Sequence, residues 1–88
     1  MSDQPKPDSR FNEFIFLQAQ NAGLFLGQLE NPTTGKKNIN LKAAASVIDS
    51  LEMLSIKTRG NLTEEEASLL EKALLNLKTL YANAESLG

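Results

Sequence analysis

One short segment constrains this chain more than any other. It reads Lys57-Thr58-Arg59-Gly60-Asn61-Leu62-Thr63-Glu64-Glu65-Glu66, and apolar stripes of helical period flank it on both sides. Upstream lie Leu41, Ala44, Val47, Ile48, Leu51 and Leu54. Downstream lie Leu69, Leu70, Ala73, Leu74, Leu77, Leu80, Tyr81 and Ala84. Gly60 can take the left-handed backbone that stops a helix. Thr63 with Glu66 forms a capping box, and Leu62 is placed as a staple residue against Ala67. Glu64, Glu65 and Glu66 put negative charge on the positive end of the helix dipole. With so short a link from Arg59 to Leu62, the two helices should form an antiparallel αα-hairpin. Lys57, Thr58, Gly60, Asn61, Thr63 and Glu66 are thus the expected hinge and cap.

The first helix of that hairpin should start at an Asn38 or Asn40 N-cap and run to about Thr58. Its alanine run at 43–45 favours helix. The second should fade after about Ala84, leaving 85–88 frayed.

A third helix is predicted earlier, from Ser9 or Arg10 to Leu26, with Gly27 as its left-handed stop. Phe11, Phe14, Ile15, Ala22, Phe25 and Leu26 fall on one side of it, while Phe16, Leu17 and Leu24 fall elsewhere. A helix that is apolar on several sides needs more than one packing partner. Residues 28–38 read as the main loop, marked by Asn31-Pro32 and Thr34-Gly35. Residues 1–9 are polar, carry two prolines, and read as a disordered arm. The expected architecture is all-α. Residues 10–84 form a single helical domain in which helix 1 packs on the helix 2–helix 3 hairpin, within a helical dimer.

At 88 residues the chain holds one domain, and a domain this small has a thin stability margin. Disulfides cannot widen it, because there is no cysteine. Without Cys or His, a metal would need oxygen ligands alone, so no metal and no cofactor is expected. Self-association is the remaining route. The N-terminus lacks a secretory apolar region, and Phe14 to Leu26 is too short and polar to span a bilayer. A cytoplasmic protein is expected, with no membrane partner.

Catalysis finds little support. There is no histidine, and no Ser-His or Ser-Lys arrangement is evident. Asp49 and Glu52 could pair on helix 2, but they read more simply as a solvated edge. Pro32 to Lys37 resembles a phosphate loop only superficially. It lacks the first glycine, and Lys36 is followed by Lys37 rather than Ser or Thr. An enzyme is not expected, and no catalytic residue is assigned.

Net charge is −2 and the pI is near 5.0, which argues against a nucleic-acid partner. Lys36, Lys37, Lys42, Lys57 and Arg59 do make the helix 2 region locally basic. Without interleaved aromatics, charge complementarity with acidic helix 3 explains them better. The pattern Gly23 to Gly27 has GxxxG spacing, which in a soluble helix reads as a close crossing.

Three stretches carry a likeness to a known family. They are Phe11-x-x-Phe14-Ile15 leading to Leu26-Gly27; Leu41-x-x-Ala44-x-x-x-Ile48-Asp49-x-Leu51-x-Met53-Leu54; and Lys57-Thr58-x-Gly60-Asn61-Leu62-Thr63-x-Glu65-Glu66 before Leu69-Leu70. Over roughly residues 11–83 the chain resembles a small bacterial family catalogued as domain of unknown function 1844. The resemblance implies a bacterial origin and a short helical fold. It implies no activity, and no functional residue carries over. Gly23 departs from it, standing where a larger apolar residue is expected.

The leading expectation is an interaction or assembly protein that works through helix packing, as a homo-oligomer (a dimer foremost) or with another protein. Its candidate interface is Phe11, Phe14, Phe16, Leu17, Leu24 and Phe25. The alternative is a regulatory nucleic-acid-binding module using the basic helix 2 region.

Overall fold

Asp8, Asn40 and Thr63 each begin a helix, and each does so with its own side chain. The structure is a computed structural model describing residues 6–87. Helix α1 spans Ser9–Phe25, α2 Leu41–Lys57 and α3 Glu64–Leu87. Asp8 Oδ1 accepts the Arg10 N–H at 3.0 Å, and Asn40 Oδ1 accepts the Ala43 N–H at 3.0 Å. Both satisfy amides that the first helical turn leaves unpaired. The capping box at α3 forms as the sequence predicts. Thr63 Oγ1 accepts the Glu66 N–H at 3.1 Å, and Glu66 Oε1 accepts the Thr63 N–H at 3.0 Å.

The helix ends are equally local. Gly27 has φ +76°. Gln28 N–H donates to Gly23 O at 2.9 Å and Gly27 N–H to Leu24 O at 3.2 Å, which together make a Schellman motif. Leu26 is therefore a cap rather than the last helical residue. Gly60, at φ +88°, turns the chain between α2 and α3, and Asn61 N–H donates to Thr58 O at 2.8 Å.

All three helices pack on one another. The loop after α1 returns to its own origin: Leu26 and Ile39 form an isolated antiparallel bridge, and Asn40 N–H donates to Phe25 O at 2.6 Å. The end of α1 is thereby fixed to the start of α2. At the other end, Asp8 N–H reaches Glu66. Hence α1 runs antiparallel to α2 and parallel to α3, an up-down-up arrangement. The core is Ile15, Ala22, Leu26, Ala44, Ile48, Leu51, Leu70, Leu77 and Ala84.

Three expectations need correction. The disordered arm expected over 1–9 does not reach Asp8, whose side chain caps α1, and Ser9 is helical, the earlier of the two starts that the spacing allows; Lys6 and Pro7 carry no regular structure, and residues 1–5 lie outside the described residues. Nor does α3 fray at 85, since it continues to Leu87. No glycine or proline interrupts it there, and Ala84 is buried; Gly88 again lies outside. By spacing Phe14 falls on the same side of helix 1 as Ile15 and Ala22, yet it is 47% exposed while they are buried. At about 100° per residue, the buried side of α1 centres on Ile15, Ala19, Ala22 and Leu26. The small residues of that side let α2 and α3 approach closely, which rotates Phe14 outward.

Candidate functional site

That rotation defines the most distinctive surface. Phe16 is 60% exposed and Leu17 53%, joining Phe14 on the outside of α1. The six candidate interface residues therefore divide. Phe11 and Phe25 pack partly buried against the chain's own core, and Leu24 is half-buried. Phe14, Phe16 and Leu17 face outward.

Beside Leu17 and Leu24, the returning loop forms an open depression of about 270 Å³. Gln20, Asn21, Leu29 and Pro32 complete its apolar and amide lining, with Glu30 at its edge. Leu29 also explains Gly23. A Cβ at position 23 would lie 3.7 Å from Leu29 Cδ1, so the loop fills the space that a larger side chain would take. Neither Leu29 nor Asn21 stood out in the sequence. Leu29 lies in a loop with no periodicity, and Asn21 reads as an ordinary polar position.

Charge sets this surface apart. From Phe14 to Leu29 the chain has no charged residue. Other exposed apolar side chains lie among charges in the sequence: Met53 and Ile56, one turn apart on α2, near Asp49, Glu52 and Lys57; Leu75 near Glu71, Lys72 and Lys78; and Ile39 near Lys36, Lys37 and Lys42. Single exposed apolar residues are ordinary. Surfaces free of charge and rich in aromatics are the compositional mark of interface centres.

The other sequence candidates fare differently. Asp49 and Glu52 line a depression of about 270 Å³ between α2 and α3, with Ala45, Ile48, Lys78 and Tyr81. Glu52 is ion-paired with Lys78, so this carboxylate is already engaged. The basic residues do not form one patch. Lys36, Lys37 and Lys42 lie at the start of α2 and Lys57 and Arg59 at its end, about 24 Å apart along the helix. Among the described residues, no group of three or more acidic side chains is placed to hold a metal ion. No helix of the described residues is long and apolar enough to cross a membrane.

The hinge residues are structural in their contacts. Thr58 Oγ1 donates to Leu54 O at 2.7 Å, whereas Lys57 and Asn61 are exposed. Glu66 is 4% exposed, and both its oxygens are used. Oε1 serves the capping box, and Oε2 accepts the Asp8 N–H at 2.9 Å. The Thr63 amide foremost, then the Asp8 amide, hold its carboxyl below the usual range. Asp8 is itself lowered to about 2, chiefly by the Arg10 guanidinium.

A family model, Domain of unknown function (DUF1844), matches residues 8–83. The chain belongs to this family. The match begins at Asp8, the residue whose side chain caps α1, so the DUF1844 unit includes the clasp at Glu66. No curated protein and no solved structure gives a match.

Proposed function

We propose that this DUF1844 chain is a non-catalytic association module that binds protein through the outward face of α1, foremost a second copy of itself. The observation that carries the reading is the uncharged run from Phe14 to Leu29, in which Phe14 and Leu17 lie exposed one turn apart on the outward face, with Phe16 also exposed on the other flank of the helix. Contiguous exposed apolar surface marks contact sites in soluble chains. The α1 helix is held at both ends, by Glu66 and by the Asn40–Phe25 bond, so binding would not have to order it. The division of the basic residues between two ends of α2 favours this reading over nucleic-acid binding.

Sedimentation equilibrium across a dilution series tests it. The expected result is a dimer or larger species at micromolar concentration. Leu17→Glu, at an exposed position, should give a monomer of unchanged helical content by circular dichroism. A monomeric parent chain at every concentration would remove the reading.

A further inference from the structure

We draw no further inference here: the strongest candidate, the open depression between α2 and α3 lined by Ala45, Ile48, Asp49, Glu52, Lys78 and Tyr81, has its Glu52 already ion-paired with Lys78, and nothing in the structure shows what covers it.

Discussion

The backbone N–H of Asp8 donates to Glu66 Oε2 at 2.9 Å, joining residues 58 positions apart. The same carboxylate closes the capping box of α3 through Oε1. One buried side chain thus serves the N-termini of two parallel helices, where both dipoles favour negative charge.

Removing that carboxylate should loosen both helix starts at once. Glu66→Ala is expected to lower Tm by on the order of 5–10 °C. Thr63→Ala, which leaves the Asp8 bond in place, should lower it less. Thermal unfolding followed by circular dichroism checks the order. Equal losses for the two variants would mean that the Asp8 bond contributes nothing.

Acid should reveal the same clasp. The Glu66 carboxyl sits below its ordinary value of 4.5, and Asp8 falls from 3.8 to about 2. Groups whose folded pKa is depressed contribute their full stability above the unfolded value and lose it as pH falls through the folded one. Tm should therefore be level above about pH 5 and decline as pH falls through the depressed Glu66 value. Asp8 is substantially exposed, so its pair with Arg10 contributes little of this. Glu66→Gln should flatten most of the decline in a Tm-against-pH series. An undiminished decline in that variant would assign it to other carboxylates.

Two glycines four residues apart, Gly23 and Gly27, should respond with opposite signs to alanine. At Gly27 a Cβ would sit 2.9 Å from Ile39 Cγ1 on a backbone of φ +76°, so Gly27→Ala should cost about 1–2 kcal/mol for the conformation alone. At Gly23 the nearest atom would be at an ordinary 3.7 Å within a helix, and Gly23→Ala should stabilise by up to about 1 kcal/mol. Urea midpoints at constant m-value decide both.

Burial should separate two leucines. Leu51 is fully buried, and Leu51→Ala should cost about 2–5 kcal/mol. Leu75 is 69% exposed, and Leu75→Gln should stay within about 0.5 kcal/mol of the parent chain in the same urea titration.

Association through the uncharged run from Phe14 to Leu29 should also depend little on salt. The dimer fraction is expected to hold or rise between about 50 and 200 mM salt, whereas phosphate contacts would weaken steeply over that range. Sedimentation at the two ionic strengths distinguishes them.

Sequence by itself determined the three helices and most of their ends, the Asp8 cap of α1 and the Leu87 end of α3 excepted. Asn40, Thr63, Gly27 and Gly60 act on amides and carbonyls a few residues away, so their effect is written in adjacent positions. The apolar stripes of α2 and α3 were legible for the same reason: each helix carries one dominant stripe, and the short link left one way to join them. Helix α1 was not, because it offers apolar residues around most of its circumference. Only contact with α2 and α3 selected Ile15, Ala19, Ala22 and Leu26 for the core and turned Phe14 and Leu17 to solvent. Asp8 looked like part of a polar arm because its partner Glu66 is distant in sequence. Gly23 looked like a missing side chain because Leu29, which fills its place, arrives on a loop without periodicity. Those choices rest on which surfaces meet in three dimensions, and local spacing does not encode them.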